Sequence, residues 1–433
     1  MNAQVLANNL WVVIAGLLVF MMTIAVGFLE VGELGERLNV SLLKTILMTG
    51  LALVVMAIVG FNTAFAPTIG GGIIGNPFYG PGFFLGGLGT NAGGVWWSVA
   101  SNGLRTGTYF LFETAFAAVT LALVGVIVLR KVRLGAFMAF SVVYFIVIWN
   151  LPAAWIWNPS GWLAQLGMVD FAGGLVVHGA AGAAGLAVLW HIWREERARG
   201  LTTSEQTQFT INPGWLTLGI LLLWVGWFGF NPGSVLAFND EALVVVLTTF
   251  LCAASAMVSL MVCGLLQQKQ NPGPLYAVNG VLMGLIIITP LAGFVSPTSA
   301  MILGLLGGPI FIAGERAFAR LRWVADPVGL LPGHLVGGLF GVVMIAFFTQ
   351  TPYAAGSGFP TLPNGILYGG GGAAIHQLGV EVLGIIVACA AVFAISYVTI
   401  AAIKSVMGRL TTDAVAEPVP ASALQPVESP STA

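Results

Sequence analysis

Apolar positions in this chain gather into long unbroken runs instead of alternating at a strand or amphipathic-helix period. The runs fall at about 10–29, 42–66, 108–129, 134–157, 170–193, 214–231, 241–266, 275–294, 298–319, 328–349 and 376–408. At about 1.5 Å of helical rise per residue, each can cross roughly 30 Å of hydrocarbon. The pattern predicts an all-α integral membrane protein with about eleven transmembrane helices. Connectors rich in Gly and aromatic residues occupy about 67–107 and 350–375, and the stretch after Arg409 is rich in Pro, Ala, Ser and Thr. That composition predicts a disordered tail. The first run has no basic residue before it and is long for a signal-peptide core, so it is read as a span.

Composition agrees with a lipid environment. Hydrophobic residues make up 58% of the chain and charged residues 7%, against about 25% charged in a soluble domain. A soluble fold of this length could not hide so much apolar surface. The formal net charge of −1 offers no basic face for nucleic acid. Cys252, Cys263 and Cys389 lie in apolar runs and fit neither a disulfide framework nor a metal site; they read as small core residues. No metal or cofactor is expected.

Basic residues set the orientation. Arg37, Lys44, Arg130, Lys131, Arg133, Arg194, Arg197, Arg199, Lys269, Arg316, Arg320, Arg322, Lys404 and Arg409 all fall on one side of the eleven runs, and Arg105 falls on the other. The side rich in Lys and Arg is cytoplasmic, as in a cell (inner) membrane. The N-terminus is then outside and the C-terminus inside, which requires an odd number of spans.

The chain also repeats itself. Span five opens Asp170-Phe-Ala-Gly-Gly-Leu-Val-Val-His178, and span ten opens Asp326-Pro-Val-Gly-Leu-Leu-Pro-Gly-His334. Each places Asp eight residues before His and follows it with small residues. Five spans separate the copies, so they start on opposite sides of the membrane. This predicts an inverted five-helix repeat, about 10–193 and 214–349, plus a final helix at about 376–408. The membrane domain covers 1–409 and a cytoplasmic tail 410–433. Inverted repeats place a transport site at their interface near the midplane.

Asp170, His178, His334 and Glu113 are the ionisable residues that look deep, and such residues are functional candidates. Eight helical residues rise about 12 Å, so Asp170 and His178 cannot share a metal. The Asp belongs near the start of its helix and the His near mid-membrane. The two His residues reach similar depth from opposite sides, and their Gly and Ala neighbours allow close helix approach. Each neutral imidazole has one donor and one acceptor nitrogen, so a touching pair could share or relay a proton. His191 reads as interfacial and His376 as a weaker candidate. Phe112, Phe116, Trp155, Trp157, Trp227, Phe228 and Phe230 gather near the expected outer mouth, as either a cation-attracting site or an ordinary interfacial belt.

These strings resemble the signatures of the ammonium transporter and Rhesus family. Asp170 to His178 is similar to its span-five signature. Gly226-Trp-Phe-Gly-Phe-Asn-Pro-Gly-Ser234 is similar to its span-six signature, and Asp326-Pro with His334-Leu-Val-Gly-Gly to its span-ten signature. The resemblance runs from span one to span eleven. It implies a homotrimer with one pore per subunit and ammonium or ammonia as substrate. It implies further that Phe112, Trp157 and Ser234 form an outer ammonium site, with Trp155 an alternative to Trp157. Asp170 would support that site without touching substrate. Phe116 and Phe230 would stack as a gate, and His178 and His334 would be twin pore histidines. Ammonium would lose its proton in the apolar pore, because burial disfavours the charged form. Ammonia would then pass, and potassium, which has no proton to lose, would be rejected.

Several residues depart from that pattern. Glu113 replaces an uncharged residue and is read as a structural group against another helix; facing the vestibule, it would strengthen cation attraction. Pro232 interrupts the span-six signature. The loop Glu30–Asn39 lacks the usual basic residues. The tail lacks the acidic, Gly- and Tyr-containing motif of many members, which argues against control by a PII-type signal protein. Besides transport, three readings stay open: an ammonium sensor with little flux, a Rhesus-like channel for neutral gases, and a membrane enzyme. The enzyme reading lacks a nucleophile or metal cluster near the His pair, so the chain is read as no enzyme.

Overall fold

The structure, a computed structural model, describes residues 3–35, 38–79, 102–128, 131–200, 211–268, 272–321, 323–324, 326 and 329–412. Among these residues eleven helices are long and apolar enough to cross a membrane. In chain order they are Ala3–Leu34, Leu38–Phe65, Thr106–Val126, Leu134–Ile156, Gly174–Ala198, Pro213–Gly233, Asp240–Gln267, Pro274–Leu291, Pro297–Ala319, Leu331–Phe348 and Gly371–Met407. Eleven crossings put Ala3 and Met407 on opposite sides, called here the N-terminal and C-terminal sides. Large apolar side chains such as Leu17, Leu247 and Ile386 are exposed on the outer surface, while buried polar groups lie inside. That distribution suits a surrounding of lipid, which is as apolar as Leu itself.

Two boundaries differ from the apolar runs for identifiable reasons. Span one starts at Ala3 and not near residue 10, because hydropathy does not sense polar residues that continue a helix. Asn9 is held within that extension: its Nδ2 donates to the Val5 carbonyl at 2.8 Å, and its Oδ1 accepts the Arg105 N–H at 2.9 Å. Span five starts at Gly174 and not at Asp170, because the Asp170 carboxylate receives the helix's first N–H groups. A short antiparallel pair, Thr68–Ile69 with Ile74–Gly75, ties part of the 67–107 connector together.

The packing follows the inverted repeat. Span one lies along span six, and span five against span ten. Within the first repeat, span one touches spans two and three, two touches four, and three touches five. The second repeat has the counterparts: six with seven and eight, seven with nine, eight with ten. Span eleven packs outside, against spans four, five and ten. Glycine decides how closely five and ten approach. A Cβ at Gly338 would sit 2.4 Å from the Gly174 carbonyl oxygen and 2.9 Å from the His178 Cβ. A Cβ at Gly182 would sit 2.6 Å from that of Leu335. Any side chain at either position would drive the two central helices apart.

On the C-terminal side, Glu30 is buried and paired with Lys44, its Oε2 also accepting the Ser41 hydroxyl at 2.8 Å. The disordered tail expected from residue 410 lies outside the described residues from 413 on, as do Arg37, Arg130, Lys269 and Arg322. The first tail residues are ordered. Leu410 and Thr411 are buried, their N–H groups donate to the Glu195 carboxylate, and Lys404 pairs with the same group at 3.1 Å.

Candidate functional site

Spans three and four and the segments that follow spans four and six line a cavity of about 140 Å³ near the N-terminal side. Phe112, Phe116, Trp157, Asp170 and Ser234 all border it, so the residues expected at an outer site are brought together. The Trp157 indole N–H donates to the Asp170 carbonyl at 2.7 Å, which fixes its ring. The Ser234 hydroxyl donates to the Phe230 carbonyl at 2.8 Å, leaving its oxygen lone pairs available to a donor. Trp155 points elsewhere; its N–H donates to the Ile73 carbonyl at 2.6 Å. Phe228 also lies apart from the mouth, with its ring 4.1 Å from that of Phe250 on span seven.

The cavity floor is aromatic. Phe112 and Phe116 have ring centroids 4.8 Å apart, and Phe116 and Phe230 4.3 Å apart. Trp157 meets Phe116 edge-on at 5.7 Å. Phe116 and Phe230 are both fully buried, so they close the way between this mouth and the interior.

Directly beneath, the His178 ring stacks on Phe230 at 5.9 Å and on Trp227 at 5.7 Å. The Trp227 indole N–H donates to the Thr289 hydroxyl at 3.1 Å. His178 and His334 meet with their Nδ1 atoms 3.0 Å apart. Each His sits in a widened π-helical turn, Gly174–Gly179 in one copy and Leu331–Gly337 in the other. Such turns recur at functional sites. One neutral Nδ1 must donate to the other. Whichever does so, the two Nε2 atoms must then differ, one carrying hydrogen and the other a lone pair. Among the described residues the His178 Nε2 has no partner. Below Phe116 and Phe230, an inner cavity of about 40 Å³ runs past both His residues toward the C-terminal side.

Asp170 takes a different part from the aromatics. Its Oδ1 accepts the Gly173 and Gly174 N–H groups at 3.0 and 2.7 Å, and its Oδ2 those of Leu175 and Val176 at 2.8 and 2.9 Å. The carboxylate thus answers the orphan donors and positive dipole end of span five and has little capacity left for a ligand. Asp326 serves span ten likewise, accepting the Leu330 and Leu331 N–H groups at 3.0 and 2.6 Å.

Glu113 and Trp227 stand differently from their reading in the sequence. Glu113 borders the mouth cavity. Tyr109 hydrogen-bonds it, and among the described residues its buried Oε2 has no partner. The helical spacing of Tyr109, Phe112, Glu113 and Phe116 puts all four on one face, a signal that was present in the sequence. Leu236 borders the same cavity in a left-handed conformation, φ 58°, uncommon for a residue with a Cβ. Trp227, read as part of the mouth, lies beside Phe230 as the second plate on His178. His191 is buried against span eleven, its Nε2 3.1 Å from the Tyr397 carbonyl, and His376 is exposed. Among the described residues no group of three His, Cys, Asp or Glu side chains could hold a metal.

The fold and this site define a class: an all-α integral membrane protein whose aromatic-capped cavity runs between inverted repeats. The model of the Ammonium Transporter Family matches residues 10–424. An ammonium transporter of Bacillus subtilis is 30% identical over 80% of this chain and 81% of its own. Ammonium transporter Amt1 of Archaeoglobus fulgidus is 31% identical over 79% and 81% respectively. Among solved structures, Mep2 of Saccharomyces cerevisiae superimposes with a TM-score of 0.81 at 25% identity, over 97% of this chain and 90% of that one. A protein described as a sensor Amt protein does so at 0.80 and 28% identity, over 95% and 96%. The chain belongs to the ammonium transporter family. Its general function is ammonium transport across a membrane, and it is not an enzyme.

Proposed function

We propose that this chain recruits ammonium at the mouth cavity and passes ammonia along the His-lined inner cavity, the proton going to the lone-pair Nε2 of the His178–His334 pair, which holds or relays it. The observation that carries the reading is the 3.0 Å Nδ1 to Nδ1 contact of His178 and His334 beneath the stacked Phe116 and Phe230 rings. Removing a cation from water without full compensation is expensive. The faces of Phe112 and Trp157 and the Ser234 oxygen compensate in part, and the oxygen favours a cation that can donate hydrogen bonds. Among the described residues the buried Glu113 Oε2 has no partner, and it offers a hydrogen-bond acceptor at the same mouth. Beyond the gate the lining is apolar from the His pair down to Glu33 and Asn279 at the far end, so the neutral form is favoured along that stretch. There the two unlike Nε2 atoms offer ammonia an acceptor for its hydrogens and a donor for its lone pair.

The N-terminal side is outside and the C-terminal side cytoplasmic, following the bias of Lys and Arg. The working unit is a homotrimer with one pore per subunit, in a cell membrane. The likeness to a protein described as a sensor favours a second reading, in which occupancy of the same site signals with little flux.

An ammonium pulse across proteoliposomes of the purified protein, with potassium as control, tests both. An ammonium-specific current or intravesicular pH change supports transport; neither signal leaves the sensor reading. Within the transport reading, Ser234→Ala combined with Trp157→Leu is expected to raise the half-saturating ammonium concentration by about tenfold, the loss of one charge-assisted contact and one aromatic face. An unaltered value would move the recruitment site elsewhere.

A further inference from the structure

We infer that Glu33, at the opposite end of the inner cavity, forms a second cation site that takes a small N–H-bearing monocation such as ammonium from the C-terminal side. The inference rests on the transport reading above.

Glu33 sits on the last turn of span one. It is 6% exposed and lines the same inner cavity as His178 and His334. Two other carboxylates lie close by, and both are engaged. Glu30 is paired with Lys44 and Ser41, and Asp326 accepts the first N–H groups of span ten. Among the described residues no hydrogen bond or ion pair holds the Glu33 carboxylate. A buried carboxyl group without a hydrogen-bond partner is costly to keep, and a cation beside it supplies the missing donors and favours its ionised form. The remaining lining of that end matches a cation. Asn279 borders that end with its side-chain amide, and Phe311, packed against Gly329, supplies a ring. Carboxylate and aromatic face together suit an ion with both charge and hydrogens to donate.

The rest of the passage makes the placement useful. From the His pair downward the cavity is lined by Val26, Leu29, Leu123 and Leu282, which offer ammonia no hydrogen bond. Glu33 is the one acidic residue among the described lining residues. An ammonia molecule leaving the apolar stretch meets it first, and a cation arriving from the C-terminal side is held there before losing its proton. The protein thus carries a recruitment site at each end, aromatic and hydroxyl on one side, carboxylate and amide on the other.

The test is the concentration dependence of radiolabelled methylammonium uptake into membrane vesicles of both orientations, for the wild type, Glu33→Gln and Glu33→Asp. Glu33→Gln is expected to raise the half-saturating concentration from the C-terminal side at least about tenfold and to leave the value from the N-terminal side within twofold. Glu33→Asp should recover part of the loss. The unchanged N-terminal-side value doubles as a folding control, since a misfolded variant loses both. Equal half-saturation for wild type and Glu33→Gln from both sides, or an equal rise from both, overturns the inference while transport stands. Absence of uptake by the wild type from either side overturns the transport reading itself.

Discussion

Replacing His178 by Ala is expected to lower the ratio of ammonium to potassium flux at least about tenfold, equivalent to about 1.4 kcal/mol of discrimination. The geometry explains both ways in which the ratio can fall. His334 loses the nitrogen 3.0 Å away that its Nδ1 pairs with, and a buried polar atom left alone costs about 1–3 kcal/mol. The pair can then no longer present one donor and one acceptor to ammonia, which reduces flux. The removed imidazole also stacks on Phe230 and Trp227, so its loss leaves space for water beneath the gate and eases the passage of a hydrated potassium ion. Parallel measurement of both ions in proteoliposomes checks the result. A ratio equal to that of the wild type would remove the His pair from the mechanism.

Asp170→Ala is expected to have the larger effect on folding. It strips the acceptor from four buried backbone N–H groups at once. With each unsatisfied donor costing about 1–3 kcal/mol, and water from the mouth cavity replacing some of them, a loss of at least about 3 kcal/mol follows. Domains are stable by only about 5–15 kcal/mol, so the variant should show a strongly lowered unfolding temperature and a poor yield of folded protein. Asp170→Asn keeps one acceptor oxygen and should fall between. Thermal unfolding of the purified variants in detergent decides the matter, and an Asp170→Ala protein as stable as wild type would make the carboxylate a ligand group after all. This result separates Asp170 from the residues of the mouth. The sequence suggests an electrostatic support, and the structure assigns the carboxylate mainly to the start of span five.

Much of this was legible in the chain before any coordinates. Runs of about eighteen or more apolar residues have few ways to be satisfied except as membrane helices, so the eleven spans and their order could be read directly. The Asp-to-His spacing, repeated five spans apart, identified the central pair of helices and which side chains they carry inward. It did so because a helix fixes depth by residue count alone. Less could be read where the answer depends on direction around a helix. Glu113 was read as packing against another helix, yet it shares a face with Phe112 and Phe116 and borders the mouth. Phe228, read with the mouth aromatics, faces span seven. Trp155 and Trp157 are neighbours in sequence, and only the fold sends one to Ile73 and the other to the mouth. In the sequence Glu33 is one of the residues of the Glu30–Asn39 loop, with no sign that the inner cavity reaches it.

Sequence alone therefore determined the environment, the class and the depth of the candidate residues, because burial in lipid and helical rise are local properties of composition and spacing. Tertiary structure decided which of those residues meet. The Nδ1 contact between positions 178 and 334, the stacking of Phe116 from span three on Phe230 from span six, and the exclusion of Glu30 but not Glu33 from the cavity all depend on how the two repeats pack. That packing is set by glycines such as Gly182 and Gly338, whose missing side chains matter only because another helix lies against them.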